Sequence, residues 1–206
     1  MHFFATALRN LTVARILPLA FAVLYATFAA FHFVSIGNDE FLGYIVVIVL
    51  LIILGGCVLA HHCVPAWLLW LLSSVGLLHM LGAAVSIGGD ILYNYVPFPI
   101  ENPTGLTFLK FDQIVHTYGS GVAAVLAYFF LKDRGFHWFS LFLFSVLVAM
   151  GVGAINEIIE FIAKLTVPDS DVGGYYNTAV DLTVNLLGSL LGAALTVVFW
   201  RHSTRS

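Results

Sequence analysis

Three short stretches hold side chains with the types and spacing to do chemistry. FDQIVHTYGSG places Asp112 and His116 four residues apart, GAINEIIEF carries Asn156, Glu157 and Glu160, and TAVDLTVNLLGSLLG places Asp181 and Asn185 four apart. Residues three or four apart share one face of a helix. One imidazole and four carboxylates make a hard, oxygen-rich donor set suited to Mg²⁺, Mn²⁺ or Zn²⁺. An ion held there would activate water or clamp a phosphate. The expected metal ligands are therefore Asp112, His116, Glu157, Glu160 and Asp181. Glu157 or Glu160 would serve as general base, and Asn185 would orient a ligand or substrate.

These residues lie in a chain that is otherwise apolar. It has 206 residues, 61% of them hydrophobic and only 9% charged, against the roughly 45–50% apolar content of soluble domains. Six windows reach the ~20 apolar residues needed to cross a bilayer: about 16–36, 41–60, 66–89, 112–131, 138–165 and 178–200. The sequence thus predicts an all-α, multi-pass membrane bundle of about six helices, a single membrane domain over 1–206 whose motifs fall in 112–200. The first window is longer than the apolar core of a signal peptide and lacks a clear A-x-A site, so it reads as a retained helix.

Charge sets the expected orientation. With the N-terminus inside, the inner segments hold Arg9, Arg15, Lys132, Arg134, Arg201 and Arg205, and the outer ones only Lys110 and Lys164. The positive-inside rule then places both termini in the cytoplasm. Of the 11 acids only Asp133 falls inside. No basic patch for nucleic acid is present, so membrane lipids are the expected surroundings.

Depth along the helices brings the polar residues together. The 18 residues from Trp138 to Ile155 carry no charge and would span ~27 Å as a helix, nearly a hydrocarbon thickness. Glu157 and Glu160 therefore arrive at the outer boundary, level with Asp112 and Asp181. Both flanking helices read D-x3-[H/N]-x2-G. Small residues below the polar rungs, Gly119 and Ala123 on one helix and Gly188 and Gly192 on the other, suit close backbone approach. In the third window His79, Ser86 and Asp90 lie close to one stripe of the helix and offer a fourth contributor, although for His79 alone a histidine hydrogen-bonded in the bundle interior is the better reading.

Each candidate also has a structural explanation. Asp112 and Asp181 stand where a carboxylate favours a helix N-terminus, and Thr178-x-x-Asp181 matches a capping box. Capping cannot account for Glu157 and Glu160, which sit near a helix C-terminus, where negative charge is disfavoured. Two carboxylates there need a cation, a proton or a donor.

Other motifs are weaker. Cys57, His61, His62 and Cys63 form C-x3-H-H-C, too tight to wrap tetrahedral ligands around one ion, so interfacial His is the better reading. The thiols are expected to stay reduced. Asp169-x-Asp171-x-Gly173 starts like a calcium loop but lacks the distal Glu. The loop 90–111, with three prolines and several aromatics, suits either a segment lying in the membrane interface over a cavity or a plain aromatic-belt loop. Ser120 beside glycine reads as packing.

The order D-x3-H, then N-E-x2-E-F, then a Gly and aromatic loop, then N-T-x2-D-x3-N-x2-G-x3-G resembles the YjdF-type inner-membrane proteins, a family without an assigned activity. The match covers about Phe111 to Ala193. More distantly it resembles the VanZ-like family, linked to glycopeptide (teicoplanin) resistance. Glu160-Phe161 departs from the Glu-x-Gln spacing of that family, and the loop before Asp181 lacks its Arg, so the YjdF-type match is the closer. The resemblance implies a multi-pass protein of the inner (cytoplasmic) membrane and the same Asp, His, Glu and Asn positions as its site.

Three function classes follow. A metal-dependent enzyme acting on a lipid or lipid-linked intermediate of the cell envelope uses all the residues above. A non-enzymatic binding or scaffold protein would use them only as buried rungs. A proton-coupled transporter fits less well, because the inner halves of the helices carry no Asp, Glu, Lys or Arg.

Overall fold

The computed structural model describes residues 12–97, 109–167 and 173–203. The element order is α1 (Val13–Ile36), α2 (Asp39–His61), α3 (Ala66–Ala84), a hairpin of β1 (Ser86–Ile87) and β2 (Asp90–Ile91), a 3₁₀ turn (Leu92–Asn94), α4 (Phe111–Leu131), α5 (Trp138–Thr166) and α6 (Tyr175–Ser203). All six helices hold a stretch long and apolar enough to cross a membrane. The chain is a multi-pass membrane protein. Its large exposed side chains, such as Leu54, Val148 and Leu191, are what a lipid-facing surface requires.

Local chemistry sets the helix ends. Gly37 closes α1 in the left-handed conformation, φ 66°, which glycine adopts without steric cost. Asn38 then caps α2 by accepting from the Phe41 amide at 3.2 Å. At the start of α4 the Gln113 side-chain oxygen accepts from the Lys110 amide at 3.2 Å. His137 Nδ1 accepts from the Phe139 amide at the start of α5.

The third helix is shorter than expected. It stops at Ala84, where Val85, Ser86 and Ile87 enter extended backbone, and Gly88 and Gly89 turn with φ of 64° and 91°. Two successive residues at positive φ make the type I′ turn that a two-residue hairpin needs. Ser86 and Asp90 therefore stand on β1 and β2, and the expected helical stripe with His79 does not form.

The chain divides into two units, residues 1–92 and 93–206. In the first, α1 packs on α2 and α3. Ser73 donates to the Pro18 carbonyl at 3.1 Å, and the Tyr25 hydroxyl sits against Gly76, where any Cβ would collide with it. At the far end of α2, Arg15 Nη2 donates to Cys63 Sγ at 2.8 Å, and both cysteines are free and exposed.

In the second unit α4, α5 and α6 form a three-helix bundle with its closest packing between α4 and α6. A Cβ on Gly188 would strike the Thr117 carbonyl and the Ser120 hydroxyl, and one on Gly192 would strike the Gly121 carbonyl. The spacing pointed to Gly119 and Ala123 on α4. The surface that meets the α6 glycines is instead Thr117, Ser120 and Gly121. Ser120 is spent on backbone, donating to the His116 carbonyl at 2.8 Å, in keeping with a packing role. Ala124, Val146, Ala149 and Ala193 fill the core below.

Candidate functional site

At the end of the bundle where α4 and α6 begin and α5 finishes, polar side chains replace this core. His116 is the hub, 5% exposed. Its Nδ1 lies 3.4 Å from Glu157 Oε1, and its Nε2 lies 3.5 Å from Asp112 Oδ1 and 3.5 Å from Glu160 Oε1. Three helices thus contribute to one cluster, and each imidazole nitrogen faces carboxylate.

Four of the five expected ligands converge. His116, Glu157, Glu160 and Asp181 each offer one ligand atom, and these atoms lie within 4.8 Å of one another. It is the one such group of His, Cys, Asp and Glu among the described residues. Asp112 stands outside that group and against His116, one helical turn earlier on the same face. Asn185, 2% exposed, lies one turn deeper than Asp181 and packs on Gly153 of α5.

Two further asparagines hold carboxylates in place. Asn156 Nδ2 donates to Glu160 Oε1 at 2.7 Å, and Asn177 Nδ2 donates to Asp181 Oδ2. Each asparagine precedes its acid by four residues in the same helix and fixes one of its oxygens; on Glu160 the tethered Oε1 is also the oxygen that faces His116. Asn177 lay in the motif quoted from the sequence without a role. The same i,i+4 rule that grouped Asn156 with Glu160 would have found it.

The capping role expected for Thr178 and Asp181 does not hold. α6 begins at Tyr175, and the Thr178 amide already donates to the Gly174 carbonyl. Asp181 is therefore well inside the helix, and its burial is not explained by the N-terminal dipole. Asp112, second residue of α4, does sit in a first turn.

The electrostatics are unfavourable for the side chains alone. Glu157 is 6% and Asp181 0% exposed. Both oxygens of Glu157, Oδ1 of Asp181 and Nδ2 of Asn185 are buried without a hydrogen-bond partner among the described residues. At 4.8 Å and an effective dielectric of about 20, two carboxylates repel by roughly 3.5 kcal/mol. Even a charged His116 leaves two of the three cluster carboxylates uncompensated, on top of several kcal/mol of desolvation per ion. The donor set, one imidazole nitrogen and three carboxylates, is that of a hard divalent cation site.

The remaining expectations fall elsewhere. His79 lies on α3 and Asp90 on β2, in the first unit. Cys57, His61, His62 and Cys63 form no ligand group. Asp169 and Asp171 of the calcium-like motif, and positions 98–108 of the long loop, lie outside the described residues.

No curated protein and no solved structure matches the chain. A family match extends over residues 16–202, reaching from the first helix into the last and taking in every residue of the cluster. The chain belongs to the DUF2238 family of predicted membrane proteins.

Proposed function

We propose that His116, Glu157, Glu160 and Asp181 hold a divalent cation, Mg²⁺, Mn²⁺ or Zn²⁺, and that the protein is a metal-dependent enzyme of the inner (cytoplasmic) membrane acting on a lipid or lipid-linked envelope intermediate. The observation that carries this reading is the convergence of four ligand atoms from three helices within 4.8 Å, with His116, Glu157 and Asp181 buried and Glu160 partly so. Carboxylates that close and that dry need a compensating cation or a proton, and the oxygen-rich donor set favours the cation. The ion, when bound, supplies Lewis acidity toward a phosphoryl or carbonyl oxygen.

The chain's own residues supply the rest. Asp112 orients the imidazole through Nε2, as carboxylates do for metal-binding histidines. Asn156 and Asn177 fix one oxygen each of Glu160 and Asp181. Glu157, with no such tether, is the carboxylate left to move a proton. Asn185 orients a ligand from below. The charge asymmetry of the loops supports placing both termini in the cytoplasm and the cluster at the outer leaflet.

Metal analysis of detergent-purified protein by mass spectrometry tests the reading. The wild type should carry a stoichiometric divalent ion that Glu157→Gln, Glu160→Gln and His116→Ala lose. A wild type purified without chelator, supplied with Mn²⁺ and still metal-free overturns it.

A further inference from the structure

A cation would satisfy carboxylates, but it cannot satisfy an N–H donor. Asn185 Nδ2 is such a donor, buried and without a hydrogen-bond partner among the described residues. Its position is set by Gly153, since a Cβ there would lie 2.8 Å from Nδ2 and 3.0 Å from Cγ. Gly153 is also one turn before Glu157 on α5. Helical side chains lean toward the N-terminus of their own helix and cover the preceding turn. Glu157 therefore leans back over Gly153. α6 runs antiparallel to α5, so Asn185 leans the opposite way, toward Asp181 and the cluster. The amide and the carboxylate approach the same glycine from opposite directions, yet no hydrogen bond joins them.

We infer that an ordered water molecule occupies the floor of the cluster above Gly153. It accepts from Asn185 Nδ2 and donates to Glu157 Oε2 and Asp181 Oδ1. One water matches three of the orphaned atoms, the Asn185 donor and the acceptors Glu157 Oε2 and Asp181 Oδ1, and a buried water ordinarily makes about three hydrogen bonds. The reach is sufficient: a carboxylate oxygen of Glu157 and one of Asp181 lie within 4.8 Å, and two hydrogen bonds of about 2.8 Å from a shared oxygen span up to roughly 5.6 Å. Glu157 Oε1 stays with His116, and Asp181 Oδ2 stays with Asn177. Gly153 becomes the residue that keeps the floor open, and Asn185 acquires a definite ligand. The inference concerns the same pocket as the proposed metal site but does not require the ion.

A crystal structure of the full chain grown from a lipidic mesophase with Mn²⁺, at a resolution that shows ordered water and with anomalous data, tests it. Expected is a non-anomalous oxygen peak within about 3.2 Å of Asn185 Nδ2, Glu157 Oε2 and Asp181 Oδ1, lost in Gly153→Ala and in Asn185→Leu. A direct hydrogen bond from Asn185 to either carboxylate, an empty floor, or an anomalous ion at bonding distance from the Asn185 side chain overturns it. Wild-type data decide the matter even if a variant fails to fold. A water without an Mn²⁺ peak among His116, Glu157, Glu160 and Asp181 sinks the metal reading alone; an Mn²⁺ peak without the water sinks this one alone.

Discussion

Both units of the molecule press a polar side chain against a glycine, and they differ in what that side chain finds. In the first unit the Tyr25 hydroxyl sits against Gly76, and nearby Ser73 donates to the Pro18 carbonyl. The polar groups at these two contacts are neutral hydroxyls, and they are used to lock helices together. In the second unit the Asn185 amide sits against Gly153, surrounded by acids, with its donor and three carboxylate oxygens unsatisfied. Buried polar groups that find partners within the protein are structure. Those that do not are held in place for something else, because each orphan costs roughly 1–3 kcal/mol and more if charged.

The sharpest way to break this contrast is to remove a ligand from the second unit. Asp181→Asn should weaken divalent binding by more than the roughly 10–100-fold expected for an outer-shell partner, measured by calorimetric titration of Mn²⁺ into metal-free protein. Asp112→Asn, acting through His116, should stay within that 10–100-fold range. Equal losses for the two would make Asp112 a ligand rather than an orienting group.

Glycine substitutions compare the units directly. Gly188→Ala drives a methyl into the backbone carbonyl of Thr117, overpacking that costs about 1–3 kcal/mol, and Gly76→Ala drives one into the Tyr25 hydroxyl, the movable end of a side chain, at a smaller cost. Both should lower the melting temperature in detergent. Only Gly188→Ala should also weaken Mn²⁺ binding, because it wedges apart the helices carrying His116 and Asp181. The smallest effect is expected for Ser73→Ala, about 0.6 kcal/mol as for an average interhelical hydrogen bond in a membrane protein, with metal binding unchanged.

The helices and the acidic cluster were legible in the sequence, for physical reasons, while the Tyr25–Gly76 and Ser73–Pro18 contacts of the first unit were not. Length and hydropathy mark membrane helices because the bilayer imposes them, and five windows agree with the helices to within three residues at each end. The sixth, 66–89, failed because hydropathy does not see backbone geometry: Val85 to Ile87 is as apolar as a helix, and only Gly88-Gly89 signals the hairpin. His116, Glu157, Glu160 and Asp181 were legible because i,i+4 spacing and depth are both fixed by the α-helix. Their facing one another depends on helix rotation, which the sequence indicated only through the small residues, and there the α4 surface was misjudged. Thr178 looked like a cap because its local pattern fits one, but α6 begins three residues earlier at Tyr175. Gly153 has no side chain and became visible only once Asn185 was placed, whereas Asn177, four residues before Asp181, was readable by the same spacing rule and was passed over.

The central claim, that the cluster is a cation site and not a set of satisfied rungs, is tested most directly by the sign of one substitution. Glu157→Gln removes a carboxylate that repels Glu160 and Asp181 when no ion is bound, and removes a ligand when one is. Thermal denaturation of wild type and variant should therefore cross over. In EDTA, Glu157→Gln should melt above the wild type, by about 2–4 °C for each kcal/mol of repulsion relieved. In Mn²⁺ at about 100 times its Kd, where binding stabilises the wild type by roughly 2.7 kcal/mol, the variant should melt below it. A variant that melts below the wild type by the same margin in both conditions would contradict the account, because Glu157 would then be a partner in a complete hydrogen-bonded network.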